Sequence, residues 1–232
     1  MLAKLTGKDD PLLRESAFKA LRYLPPEAPN DLLRTGLEAP ELSVRLASFE
    51  SLLLRGDTAN GDEALEQARG EYRRYLDQQA DLPAGRTLRA RYFRLSGEPA
   101  AAETDLELAL RKDPGYLPAI VELTALLRDQ RRFDETIRLL NRALKNLPNN
   151  ATLHHLRGLT YLQQKEYPPA LVDLARATEL EPDNADFGYR YAVALYSTGD
   201  IQAAAMEAKR LLRRLPADPR IGRLFELPGL AR

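Results

Sequence analysis

The sequence predicts an all-α fold, a right-handed α-solenoid of helix–turn–helix repeats preceded by a helical segment of a different kind. Three observations predict it. Prolines stand at 114, 148, 182 and 216, each 34 residues after the last, and each closes a helix-like run: "ALRKDPGY", "ALKNLPNN", "ATELEPDN" and "LLRRLPAD". Proline lacks an N–H and its ring clashes with the preceding turn, so these are four helix stops in register. Residue size then repeats with the same period. With each proline at position 32 of its repeat, position 8 holds Ala90, Thr124, Gly158 and Ala192, and position 20 holds Ala102, Thr136, Ala170 and Ala204. Finally, turn residues fall midway between the prolines, as "SGEP", "QRRF", "QKEY" and "STGD".

The small residues at positions 8 and 20 let two antiparallel helices approach closely. Position 27 reads Ala109, Ala143, Ala177 and Leu211; position 24 reads Leu106, Leu140, Leu174 and Ala208. Pro99, Pro168 and Pro169 fall near the start of a second helix, where a missing N–H costs little. This pattern resembles the tetratricopeptide repeat (TPR) family and predicts four repeats, 83–116, 117–150, 151–184 and 185–218. Two columns depart from it. Position 4 holds Arg86, Ile120, His154 and Gly188 where a bulky aromatic is usual, and Leu211 stands where a small residue is expected.

Residues 1–56 follow another clock. "PLLRESAFKALRYL" (11–24) and "LSVRLASFESLLLR" (42–55) align at an offset of 31, matching Arg14 to Arg45, Phe18 to Phe49 and Leu21 to Leu52. Between them "APNDLLRTGLEA" reads as a short helix with Asn30 or Asp31 near its N-cap. The segment resembles HEAT repeats. Residues 57–82 read as a loop, with a turn at Asn60-Gly61, followed by a bridging helix capped by Asp62. Its apolar face carries Leu65, Ala68, Tyr72, Tyr75 and Leu76. The 57–61 loop is the expected protease-sensitive hinge. Residues 219–232 read as a capping helix, from about 219 to 227, and a tail stopped by Pro228-Gly229.

The composition narrows function. The 34 basic and 34 acidic residues cancel, which argues against nucleic acid as a partner. The absence of cysteine excludes disulfides, thiolate metal sites and covalent haem attachment in this chain. No window has the length and apolarity of a transmembrane span. The expected state is soluble and cytoplasmic, since "MLAKLTGKDD" is not a signal peptide, with the periplasm as the alternative if the chain is a fragment of an exported protein.

The two histidines, His154 and His155, are helix neighbours. Side chains one residue apart diverge by about 100°, so the pair is a poor chelate, and no metal or cofactor is expected. His154 is expected to lie between helices and His155 to face a groove. Carboxylates read as solvated helix faces and caps, and no nucleophile or phosphate-loop motif is present, so the chain is not expected to be an enzyme. In "RTLRARYFR" (86–94), Arg86 and Arg89 read as solvated, while Arg91 and Arg94 share the groove side.

The TPR resemblance implies binding on the concave face, lined by positions 2, 5, 9, 12 and 13 of each first helix. Carried onto this sequence, it gives the partner-binding set Arg91, Arg94, Arg128, His155, Leu159, Tyr189, Val193 and Tyr196. Thr87, Val121, Ala125, Asp129, Leu162, Gln163, Asp186 and Ser197 occupy the same columns. Position 5 of the first repeat is Thr87 and position 9 is Arg91, so the Lys and Asn of the chaperone-tail-binding subfamily are absent there. The expected function is a non-catalytic scaffold for a protein or peptide with acidic and apolar residues. The alternative is a docking module of a multihaem cytochrome c system, because "LHHLRGLTYL" and "YRYAVALYSTGD" after a HEAT-like segment resemble the C-terminal part of such proteins.

Overall fold

A computed structural model describes residues 5–7, 9–25, 30–57 and 62–230. Most of the 57–61 loop, including the Asn60-Gly61 turn, lies outside the described residues. The chain is all-α and divides into two compact units, residues 1–113 and 114–232.

Unit 1 contains α1 (Pro11–Leu21), α2 (Asp31–Thr35), a 3-10 turn (Gly36–Glu38), α3 (Leu42–Leu54), α4 (Glu63–Gln79), α5 (Pro83–Leu95) and α6 (Pro99–Lys112). The residues matched at an offset of 31 do matched work. Phe18, Phe49, Leu21 and Leu52 are all buried, Arg14 pairs with Glu41, and Arg45 pairs with Glu71 at 2.8 Å. Asp62 caps α4 by accepting from the amides of Ala64 and Leu65. Leu65, Ala68, Tyr72 and Leu76 are buried as its periodicity requires. Tyr75 departs from the expected face: it is 38% exposed, because it sits at the edge of the apolar stripe. Phe49, Tyr72 and Tyr92 form an aromatic cluster with centroids 5.4 to 6.5 Å apart, joining α3, α4 and α5.

Unit 2 contains α7 (Leu117–Asp129), α8 (Phe133–Asn146), α9 (Ala151–Gln163), α10 (Tyr167–Leu180), α11 (Ala185–Ser197), α12 (Ile201–Arg214) and α13 (Pro219–Leu224). The helix ends explain the 34-residue clock in both units. Each second helix, α6, α8, α10 and α12, stops two residues before its proline. The intervening residues, Asp113, Leu147, Glu181 and Leu215, have φ between −126° and −139° and a positive ψ, outside the helical region that the following proline disfavours. Asn150 and Asn184 then cap the next first helix, Asn150 by accepting from the Leu153 amide at 3.0 Å. This is why "PNN" and "PDN" follow the apolar runs. Within each hairpin one turn residue is left-handed: Gly97, Arg131, Lys165 and Gly199, again 34 apart. Arg131 and Lys165 hold that conformation without glycine's freedom.

The small-residue columns are buried throughout, and Ala102, Thr136, Ala170 and Ala204 are each 0% exposed. A Cβ added at Gly158 would lie 3.1 Å from the Ala170 carbonyl oxygen, so the α9–α10 crossing leaves no spare room. Replacing Ala170 with leucine is expected to destabilise the fold by about 1–3 kcal/mol through overpacking. Urea titration of the two proteins checks this, and an unchanged midpoint would contradict the close crossing.

The two departures in the last repeat compensate each other. A Cβ at Gly188 would lie 2.3 Å from a Leu211 methyl carbon, so the missing side chain at position 4 is the space that the large residue at position 27 fills. The capping helix is shorter than the sequence suggests. α13 ends at Leu224, and the following turns bury Leu230 while Gly229 takes a φ of 83°.

Candidate protein-binding face

Of the eight site residues expected from sequence, Arg91 and Arg94 belong to unit 1 and six to unit 2. Arg91 and Arg94 are half-buried on α5, whereas Thr87 is buried, its hydroxyl donating to the Pro83 carbonyl.

In unit 2 the six residues come from α7, α9 and α11. Arg128, near the end of α7, is half-buried. Its Nε donates to the Gln163 side-chain oxygen at 2.8 Å, and it forms no ion pair among the described residues. Burial pulls its affinity for the proton below the usual arginine range; the Asp129 carboxylate opposes this and the Arg190 charge adds to it. His155 is 5% exposed and stacks on Phe187 of α11, with centroids 4.4 Å apart. Its Nε2 stands 3.6 Å from the Asp186 carboxylate. Burial pushes its pKa down to about 4, despite Asp186, with Arg190 and Arg128 adding to the depression. His155 therefore acts as a neutral ring between helices, not as an open groove residue. Leu159, between His155 and Gln163 on α9, is half-buried.

Tyr189 and Val193 pack against the cluster of Ile221 and Leu224 in the capping helix. Tyr196 packs against the cluster containing Leu195, Ala204 and Leu230. All three stay partly exposed, sharing their surface between the C-terminal cap and solvent. Arg190, outside the expected columns, pairs with Asp186 at 3.0 Å, and Arg220 approaches the same carboxylate at 3.7 Å. Arg220 is held mainly by Asp218, at 2.6 Å, so arginines 128, 190 and 220 share this region with the carboxylates of Asp186, Asp218 and the exposed Asp129.

His154 faces the other way. Its Nδ1 lies 2.8 Å from Asp173 of α10 and its Nε2 2.9 Å from the Pro148 carbonyl oxygen. The two rings therefore diverge into different helix pairs, and among the described residues no group of three or more His, Asp or Glu stands close enough to hold a metal ion. The reading of the carboxylates as solvated is corrected by Asp173 and Asp105, each 3% exposed. Asp173 also takes Arg157, with Nε at 2.6 Å. Asp105 takes Arg86 at 3.1 Å and Arg89 at 2.7 Å, so these two arginines are ion-paired and not merely solvated. The signal was in the register: Arg89 and Asp105 recur two repeats later as Arg157 and Asp173.

A family model described as tetratricopeptide repeat matches residues 93–159 and 161–224, more than half of the chain. The chain belongs to the tetratricopeptide repeat family. This TPR protein is 31% identical to anaphase-promoting complex subunit 7 of Homo sapiens over 83 residues, which is 36% of this chain and 14% of that protein. It is 23% identical to DnaJ homolog subfamily C member 3 of Rattus norvegicus over 155 residues, covering 60% of this chain and 31% of that one. The chain thus spans less than a third of either relative. Among solved structures, PilF of Pseudomonas aeruginosa superposes with a TM-score of 0.58 at 20% identity, covering 85% of both chains. A thermophilic TPR protein of Thermus thermophilus, TTC0263, superposes with a TM-score of 0.57 at 21% identity, covering 84% of this chain and 97% of that one. At these identities the likeness is one of fold. No helix among the described residues is long and apolar enough to cross a membrane.

Proposed function

We propose that the chain is a non-catalytic scaffold whose first-helix face in unit 2 binds a protein segment carrying acidic and apolar residues. TPR proteins act as protein-interaction scaffolds, and one relative is by name a subunit of a complex. The observation that carries the reading is Arg128. It is a half-buried guanidinium held by a neutral amide, with a second cation nearby. A partly desolvated guanidinium with no carboxylate in direct contact is costly even with Asp129 nearby, and a ligand carboxylate reaching it as a fork offsets that cost. The partly exposed surfaces of Leu159, Tyr189, Val193 and Tyr196 supply apolar area beside it. Arg91 and Arg94 hold the equivalent columns of the first repeat, and the assignment extends to them. The division into a HEAT-like segment (1–56), a bridging region (57–82), four repeats and a cap is part of the same proposal. The multihaem docking role rests on the sequence resemblance alone, and no feature of this face favours it.

A peptide array probed with the full chain tests the reading. Bound peptides are expected to be enriched in Asp or Glu next to Leu, Phe or Met. Arg128→Ala is expected to weaken them about tenfold or more at low salt, and Tyr196→Ala by a similar factor, each measured well below the variant's own melting temperature and with parental helical circular dichroism, since Tyr196 also packs on the C-terminal cap. Affinity is expected to fall as salt rises. Retention of full affinity by both variants at low salt would overturn the assignment.

A further inference from the structure

Beyond the capping helix α13 the chain runs as a strap of turns, residues 225–230, against the fourth repeat. α13 itself is seated by Ile221 and Leu224, each 0% exposed. In the strap only Leu230 is covered as fully, while Glu226, Pro228 and Gly229 are exposed. The backbone bonds of the strap run back along the same segment: the amides of Glu226, Leu227 and Leu230 donate to the carbonyls of Arg223, Leu224 and Leu227. From 226 onward its hold on the repeat therefore comes from the side chains of Leu227 and Leu230. A segment fastened by so few buried contacts opens at a lower free energy than the core beneath it. The seat of Leu230 is made by Leu195 and Ala204, both buried, with Leu171, Tyr191 and Tyr196 around them. It is thus an apolar socket supplied by α10, α11 and α12. The turn at Pro228-Gly229, with Gly229 at a φ of 83°, brings both leucines to this one cluster.

We infer that this socket is a binding site for a partner segment of the strap's own chemistry, a turn carrying two leucines three residues apart, and that the strap is its exchangeable internal occupant. The ligand chemistry is read from the segment seated there. Leu230 fills the socket and Leu227 packs beside it, so a polypeptide that presents leucines with the same spacing makes the same contacts. The strap also carries Glu226 between Phe225 and Leu227, the acidic and apolar composition expected of the partner of the first-helix face. Tyr196 belongs to both surfaces. A partner that reaches Arg128 with a carboxylate gains the socket only when the strap leaves, so strap release regulates that face. This regulatory step rests on the function proposed above; the socket does not.

The test titrates the capped strap peptide, acetyl-FELPGL-amide, into the full chain, isotope-labelled for NMR. In the parent the tethered strap outcompetes it, since a short tether supplies an effective concentration in the millimolar range. Leu227→Ala and Leu230→Ala each loosen the strap. They are expected to bind the peptide with saturable shifts at Leu195 and Ala204, at least about tenfold more tightly than the parent. A control peptide with both leucines replaced by alanine is expected to give no shifts. The chain contains no cysteine, so a clamp can be built cleanly. A Cβ at Gly229 would lie 3.1 Å from Ile201 Cγ2, within disulfide reach. Ile201→Cys and Gly229→Cys added to Leu227→Ala are expected to abolish the peptide's shifts when oxidised and to restore them when reduced. The left-handed backbone at 229 weighs on both states alike. Circular dichroism and melting check each protein, and Leu227, being only half-buried, keeps the test open where Leu230→Ala does not fold. Lack of saturable binding to a folded, loosened variant would overturn the inference. So would equal binding by the parent, by the alanine control or by the oxidised clamp. If peptides that depend on Arg128 bind the loosened variants no better than the parent, the regulatory step is wrong and the reading of the face stands. If no peptide depends on Arg128, that reading fails, and the strap titration still decides the socket.

Discussion

Replacing Gly85 with alanine is expected to lower the stability of unit 1 by about 3 kcal/mol or more, the upper end of what overpacking costs. A Cβ built at Gly85 would lie 1.7 Å from the carbonyl oxygen of Gln79 and 2.4 Å from its carbonyl carbon. Both atoms are backbone, at the last residue of α4. A flexible side chain would swing away, whereas a helix end must move with its helix. Intrinsic helix propensity pulls the other way, since alanine is favoured over glycine by about 1 kcal/mol in a helix interior. The steric term wins because the contact is far inside van der Waals distance. Gly70, in the middle of α4, is the control. A Cβ there meets nothing within 4 Å, so Gly70→Ala is expected to stabilise by about 0.5–1 kcal/mol. Urea unfolding of the two variants should move the midpoint in opposite directions. A destabilisation below about 1 kcal/mol at Gly85 would mean that the α4–α5 corner is looser than described.

The sequence made most of the fold readable because helix punctuation is local. A proline stop, an asparagine cap two residues later and a small residue at a crossing each act through their own backbone or nearest helix. That is why Pro148, Asn150 and Ala170 placed α8, α9 and α10 correctly. The site was less legible because burial of a polar side chain depends on residues a repeat away. Nothing beside Asp173 in the chain announces that His154 and Arg157 converge on it. Arg128 is half-buried through Gln163, one helix pair further on. Periodicity placed Tyr75 with Tyr72, but the stripe narrows at its edge, and only the packed neighbours decide which ring is covered. Gly188 and Leu211 read as two faults when taken singly. They are one packing solution when taken together, and only the distance between them shows it.

The alternation of the repeats supplies a second large effect and its own rescue. Asp173→Asn is expected to destabilise unit 2 by about 2–4 kcal/mol, somewhat below the usual cost of breaking a fully buried pair. Asp173 has a side chain only 4% exposed and accepts from His154 at 2.8 Å and from two nitrogens of Arg157 at 2.6 and 2.7 Å. Asparagine keeps one acceptor oxygen and turns an NH2 group toward N–H donors, leaving a cation without its counter-charge. The cost is moderated because the Arg157 side chain is 21% exposed and also donates to Asn141. The second repeat solves the same positions without charge, with Ile120, Leu123 and Leu139 where the third has His154, Arg157 and Asp173. Copying that solution as His154→Ile, Arg157→Leu and Asp173→Leu together removes both the charges and their desolvation, and replacing a buried ion pair by apolar residues of similar volume is often neutral or better. The triple variant is therefore expected to fall within about 1 kcal/mol of the parent, although it contains a change at the position where the single substitution is severe. Chemical denaturation of the parent, the single and the triple variants decides the matter. If the triple variant is as unstable as the single one, the ion triad is required by its surroundings in α9 and α10 in a way the second repeat does not share, and the two repeats are not interchangeable versions of one packing unit.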